Sequence, residues 1–173
     1  MSVTATLPNI ARPLAVGTLL CAAMLSCSPF ASAQFGFTPN PHLYNESADP
    51  TADIAAAEKA AKPQHKRILL EFGGNWCGDC QVLDYYYHQG ANADLLAKYF
   101  VVVRVDIGHM EKNVATAEKY HVPITKGVPA LALLDANGKL LYTEEPKEFE
   151  HTSPEAINAF LIHWKVSTAA GPA

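Results

Sequence analysis

Cys77 and Cys80 stand three residues apart in the run Asn75-Trp76-Cys77-Gly78-Asp79-Cys80. Two thiols at that spacing can open and close as a disulfide. Residues i and i+3 share a helix face at about 5–6 Å, within the Cα separation of about 4.4–6.8 Å that a disulfide wants. Ahead of the pair, Ile68-Leu69-Leu70-Glu71-Phe72 reads as a buried strand; behind it, Gln81 to His88 reads as a helix. The first sulfur therefore sits where the free N–H groups of a helix start favour negative charge. A thiolate, not a thiol, attacks a disulfide, and a helix N-terminus lowers a cysteine pKa below its usual value of about 8.5. Cys77 is thus the expected nucleophile, and Cys80, one turn deeper, the resolving thiol that breaks a mixed disulfide. An inert stabilising disulfide is the competing reading, but so small a loop gives little chain-entropy stabilisation. No other Cys-x-x-Cys or His-x-x-His is present to complete a tetrahedral site. No metal and no bound cofactor are expected; the dithiol is itself the redox group.

Glu71 lies six residues before Cys77, inside the strand that delivers the pair. A carboxylate buried in an apolar strand has a raised pKa, near what a general base needs. A strand-edge Glu facing solvent is the alternative. Cys77, Cys80 and Asp84 fall at i, i+3 and i+7, roughly one helix face. Asp79 lies between the cysteines. Both aspartates are candidates for tuning the dithiol, against the plainer reading of exposed helical acids. Trp76 either shields the sulfurs and offers an apolar contact, or packs in the core. Met110 and His109 are the only soft-ligand candidates outside the motif.

Trp76-Cys77-Gly78-Asp79-Cys80, followed about fifty residues later by Gly127-Val128-Pro129, resembles the thioredoxin superfamily, and in particular the thioredoxin-like domains exported to the bacterial periplasm. The resemblance covers roughly Lys66 to Trp164. It implies that Glu71 exchanges the proton of Cys80. It implies that Pro129 is a cis-proline facing the cysteines, with the Val128 backbone open to a substrate strand. It matches Asp84 to an acidic position in periplasmic disulfide-interchange reductases. Asp79 replaces the proline most common in thioredoxins, Ala130 stands where thioredoxins often have Thr, and the loop His121 to Lys126 is longer than usual.

The flanking elements suit such a site. Asp49-Pro50 gives an N-cap and a proline at N1, and Thr51 to Lys62 reads as a helix stopping before Pro63, with Ile54, Ala57 and Ala61 as its buried stripe. Gly90 ends the motif helix. Ala91 to Tyr99 is helical, with Leu95 and Leu96 inward. Val101 to Val105 suits a central parallel strand. Lys112 to Tyr120 is helical. Ala130–Leu134 and Lys139–Tyr142 are strands joined at Asn137-Gly138, a strong hairpin signal. Ser153-Pro154 opens a last helix whose Ile157, Phe160, Leu161 and Trp164 make one apolar face. Tyr85-Tyr86-Tyr87 point in three directions, so at least one is expected at the surface, against the N-terminal arm. Together these predict an α/β thioredoxin fold: a central mixed sheet flanked by helices, with an N-terminal helical extension.

The domain reading is a signal peptide over 1–33, a linker or arm over 34–49, a thioredoxin-like domain over 50–166 and a flexible tail over 167–173. Arg12 is the only charged residue before Glu46, Leu14 to Leu25 is almost wholly apolar, and Ala31-Ser32-Ala33 follows. That is the n-region, h-region and A-x-A pattern of a secretory signal. An uncleaved anchor and lipidation at Cys27 are the alternatives. Cleavage would remove Cys21 and Cys27. It would also remove one of 13 basic residues, leaving 12 against 17 acidic ones and a net charge of −5. Nothing basic is clustered, so nucleic acid is not an expected partner. The expected chain is a periplasmic or secreted monomer. It reduces protein disulfides and is recharged by a membrane-bound dithiol donor. The carboxylates Glu71, Asp79 and Asp84, with no cation in the motif, disfavour a thiolate and so favour a reductant over an oxidase. A thiol carrier for copper or for an assembling metalloprotein, and a redox-inert scaffold, are the rival readings.

Overall fold

The computed structural model describes residues 37–166. The signal reading over 1–33, with Cys21 and Cys27, and the tail reading over 167–173 lie outside the described residues. So do the first three residues of the 34–49 segment.

Four strands make one mixed sheet: β1 Arg67–Gly73, β2 Phe100–Asp106, β3 Ala130–Leu134 and β4 Leu140–Thr143. Their order across the sheet is β2-β1-β3-β4. β2 runs parallel to β1, whereas β3 is antiparallel to β1 and β4 to β3. The register sets Glu71 beside Arg104 on one side and Leu131 on the other. The helices are α1 Pro50–Gln64, α2 Gly78–Tyr87, α3 Gly90–Tyr99, α4 Val114–Lys119 and α5 Pro154–Trp164.

Strand alternation sends successive side chains to opposite faces, and here both faces are apolar. Ile68, Leu70, Phe72, Val103, Val105, Ala132 and Leu134 pack with Ile54, Ala57 and Ala61 of α1 and Ala117 of α4. Leu69, Leu131 and Leu133 pack on the other face with Leu83, Tyr86 and Tyr87 of α2 and Ile157 and Leu161 of α5; Leu95 and Leu96 of α3 flank them. Each fully buried aliphatic side chain contributes about 1.5–3 kcal/mol. β1, buried along nearly its whole length, is the rigid rail on which the dithiol is mounted.

Three local expectations need correction. β2 is at an edge of the sheet, not its centre. Its valines are a near-continuous apolar run because α1 packs against it from one face and α3 from the other. α1 continues through Pro63 to Gln64, and His65 in the left-handed region closes it by donating its N–H to Ala61 O and Lys62 O. A proline in a last turn forfeits one hydrogen bond of the ladder without breaking the turns before it. Gly90 begins α3 instead of capping α2, which ends at Tyr87 with His88 as its C-cap. The Asn137-Gly138 turn forms as expected, with Gly138 at φ 79°, a left-handed conformation that glycine adopts without cost.

Candidate active site

Cys77 is the N-cap of α2, and its Sγ accepts the Cys80 N–H at 3.1 Å. The two cysteines are joined in a disulfide with Cα atoms 5.3 Å apart, inside the range the spacing predicts. Cys77 keeps 3% of its surface and Cys80 none. The residues on either side of Cys77, Trp76 and Gly78, are exposed. Any approach to the pair from solvent therefore meets Cys77 first. The Val128–Pro129 bond is cis, and the Val128 carbonyl oxygen lies 3.5 Å from Cys77 Sγ.

Glu71 is fully buried beneath the pair, on the sheet face that α2 covers. Its Oε1 accepts a hydrogen bond from the Tyr44 hydroxyl at 2.5 Å. Its Oε2 faces Arg104 Nε at 3.7 Å. Arg104 also pairs with Asp84, to whose Oδ1 it donates. Burial pushes the Glu71 carboxyl above its ordinary value, while the Arg104 guanidinium and the Tyr44 hydroxyl pull it back and Asp84 adds a smaller upward push. The resulting group holds a proton more readily than a surface glutamate yet keeps a cation within reach, which suits a carboxyl that must alternate between two protonation states.

Arg104 and Tyr44 are absent from the sequence reading. Arg104 carried a usable signal, a lone charge in a strand of valines, which is the same signal that marks Glu71. It also alters the charge count, since the carboxylates near the pair are partly offset. Tyr44 carried almost none. It belongs to the segment read as a surface arm, yet it is 2% exposed and Leu43 is buried with it. The segment is pinned by two amides that bracket the cysteines in sequence. Asn75 accepts the Tyr44 N–H at 2.8 Å and donates to the Tyr44 carbonyl at 3.0 Å. Gln81 does the same for Asn40, at 2.9 Å in each direction. Such two-point amide contacts satisfy backbone groups that a strand partner would otherwise satisfy. Phe37 stacks on Tyr85 at 5.1 Å. None of the three consecutive tyrosines is fully exposed: Tyr85 is half-buried under Phe37, and Tyr86 and Tyr87 are buried.

The remaining candidates lie at the surface around Cys77. Trp76 is 47% exposed, so it is not a core residue; it stacks on His109 at 5.3 Å and donates its indole N–H to Gly108 O at 2.6 Å. Met110 is exposed nearby. Asp79 is part-exposed, and His151 Nδ1 lies 3.4 Å from its carboxylate. Among the described residues no three His, Cys, Asp or Glu side chains converge as metal ligands would, and no helix is long and apolar enough to cross a membrane.

A second buried acid supports the strand that leaves the cis-proline. Glu144 Oε2 accepts the Leu131 N–H at 2.7 Å, and its other oxygen has no partner among the described residues. Burial pushes its carboxyl up to about 8, against the pull of the Leu131 N–H and with smaller upward pushes from Glu148 and Glu150. The folded state therefore binds this proton more tightly than the unfolded chain. That contribution to stability is complete below the ordinary carboxyl value and is lost as pH rises through about 8. At about 1.4 kcal/mol per pKa unit, the loss is on the order of a few kcal/mol. Urea unfolding from pH 5 to 9 is expected to show this decline, and Glu144→Gln is expected to flatten it.

Residues 49–136 match the family described as thioredoxin-like. A solved structure of a disulphide isomerase from Xylella fastidiosa is 35% identical, with 70% of this chain and 95% of that one covered at a TM-score of 0.65. Its fold and the family match make this a thioredoxin fold. The thiol:disulfide interchange protein DsbD 2 of Pseudomonas aeruginosa is 24% identical over 144 residues, 82% of this chain and 23% of that protein. A protein disulfide-isomerase of Hordeum vulgare is 37% identical over 91 residues, 50% of this chain and 17% of that one. The chain thus spans less than a quarter of the length of these curated relatives.

Proposed function

The chain belongs to the thioredoxin-like family, and from that premise we propose that it is a thiol–disulfide oxidoreductase working through Cys77 and Cys80. The observation that carries this reading is the bonded pair at the start of α2, with Cys77 outermost, the Val128 carbonyl beside it and a buried carboxyl below. Cys77 attacks a substrate disulfide, and one substrate sulfur leaves as a thiolate. Cys80 then attacks Cys77, which closes the internal disulfide and releases the second sulfur. Names of relatives that carry out disulfide interchange or isomerisation support the reaction class.

The direction we propose is reduction of protein disulfides. Glu71 is buried beneath the pair and Asp79 stands between its cysteines in the chain, while Arg104 is shared between Glu71 and Asp84. A strongly oxidising dithiol instead needs cations that stabilise its thiolate. Trp76, Val128 and Pro129 would form the face against which a client segment lies, with Val128 offering its backbone as a strand edge does. The n-region, h-region and Ala31-Ser32-Ala33 pattern supports export, and hence a membrane-bound dithiol as the source of electrons. The working unit is proposed to be a monomer with no bound cofactor.

Equilibration against glutathione or dithiothreitol buffers tests this. The expected potential lies nearer the value of about −270 mV of a reducing thioredoxin than the value of about −120 mV of a strong dithiol oxidant. A potential near the latter overturns the direction, and a pair that does not equilibrate at all overturns the activity.

A further inference from the structure

We infer that Tyr44 relays the proton between Cys80 and Glu71, carried into the site by the segment ahead of α1. The inference rests on the oxidoreductase reading and names a working part of that site.

The Tyr44 hydroxyl bonds Glu71 and borders the space beside Cys80. On one side its hydroxyl donates to Glu71 Oε1. On the other, Gly73 leaves a space in which a Cβ would stand 2.4 Å from the Tyr44 hydroxyl oxygen and 2.6 Å from Cys80 Sγ. Those two atoms are therefore at most 5.0 Å apart, with no side chain of Gly73 between them. A residue larger than glycine at position 73 would separate them. Glu71 Oε2 has no hydrogen-bond partner among the described residues, so Oε1 is the oxygen already wired to a donor. The paired contacts of Asn75 with Tyr44 and of Gln81 with Asn40 fix the segment on both sides of the cysteines. A phenol held this way is preorganised and does not have to be recruited for each turnover.

The ionisable groups around Glu71 are Tyr44 from the segment, Arg104 from β2, and Asp84 and Tyr87 from α2; Glu144, just past β4, faces Tyr87. Burial and the Glu71 carboxylate hold the Tyr44 phenol well above its ordinary value. Tyr44 therefore passes a proton on without dwelling as a phenolate. In the resolving step the Cys80 S–H bond breaks and its proton goes to the Tyr44 oxygen, directly or through one water, while the Tyr44 proton goes to Glu71 Oε1. The Cys80 sulfur attacks Cys77 Sγ, the bond from Cys77 to the substrate sulfur breaks, and the substrate leaves as a thiolate. The two electrons that reduce the substrate come from the dithiol, so nothing else is required. When the dithiol is reduced again, the proton returns by the same path.

An aromatic disulfide that releases a coloured thiolate separates the two half-reactions of the reduced full chain. The first release reports attack by Cys77, and the second reports resolution by Cys80. In Tyr44→Phe the first release is expected to keep its rate. The second is expected to slow about 10- to 100-fold at pH 7, at or below the low end of what a general base supplies. The difference is expected to narrow as pH rises well above the ordinary thiol value of about 8.5, where hydroxide competes with the relay for the thiol proton. Equal second-phase rates and pH profiles in the two proteins overturn the relay. No first phase in the wild type overturns the oxidoreductase reading instead. If Tyr44→Phe fails to fold, the solvent isotope effect on the wild-type second phase decides. Two protons in flight give a curved dependence on deuterium fraction, and a straight line overturns the relay.

Discussion

Replacing Cys80 with serine is expected to end multiple turnover while leaving the first exchange intact. Cys77 retains its place at the helix start, its helix-capping geometry and its access to solvent, so it still attacks a substrate disulfide. Without a second sulfur the mixed disulfide has no internal route to release. With the reduced protein as the only reductant, the variant should stop at one covalent adduct per chain, and release of the second substrate thiol should fall on the order of 10⁴-fold or more, the scale on which removing one member of a catalytic unit acts. Cys77→Ser should lose the first exchange as well, since Cys80 is fully buried and cannot meet a substrate. The asymmetry is the informative part. An inert disulfide would make the two variants equivalent, and so would two equally accessible thiols. Following turnover and covalent adduct together on the two variants checks it.

Glu71→Gln is expected to have the second largest effect, and to push activity and stability in opposite directions. Glutamine fills the same volume and can still meet Tyr44, but it cannot take a proton. The resolving step should slow by about 10²-fold near neutral pH, the lower end of general acid–base contributions. For stability, the folded Glu71 carboxyl titrates above its ordinary value of 4.5 because burial dominates. Its contribution is therefore complete below pH 4.5 and is lost as pH rises through the folded value. Above that window the wild type must hold a buried carboxylate, compensated only by Arg104 and Tyr44. An amide in its place is free of that cost, so the variant should be the more stable protein at pH 8 and similar to wild type at pH 4. Chemical denaturation at the two pH values measures this directly. A variant equally destabilised at both would mean that Glu71 is a packing residue.

What could be read from the chain was local. The cysteine spacing, the strand before it and the helix after it lie within about twenty residues, and so does the lone carboxylate in an apolar strand. The hairpin at Asn137-Gly138 and the capped helix from Pro154 are equally local. What escaped was set by partners far along the chain. Arg104 meets Glu71 only because β2 pairs in register with β1. Tyr44 reaches the same carboxylate across 27 residues, from a segment whose Pro, Asn and polar content reads as surface. Asn75 and Gln81 looked like ordinary motif neighbours, and their work is to hold that segment. The placement of β2 failed for a related reason. A run of valines records that both faces are covered, and an edge strand between α1 and α3 meets that condition as well as a central one.

On the proposed mechanism the dithiol is one reactive sulfur at a helix tip backed by a buried proton circuit, not a crosslink. The most direct test is to let reduced Cys80→Ser react with a disulfide-containing protein, digest the stalled product without reductant, and map the crosslink. The expected result is a single intermolecular disulfide at Cys77 that dithiothreitol reverses. Failure of the folded, reduced variant to form any adduct under conditions where wild type turns over would contradict the account.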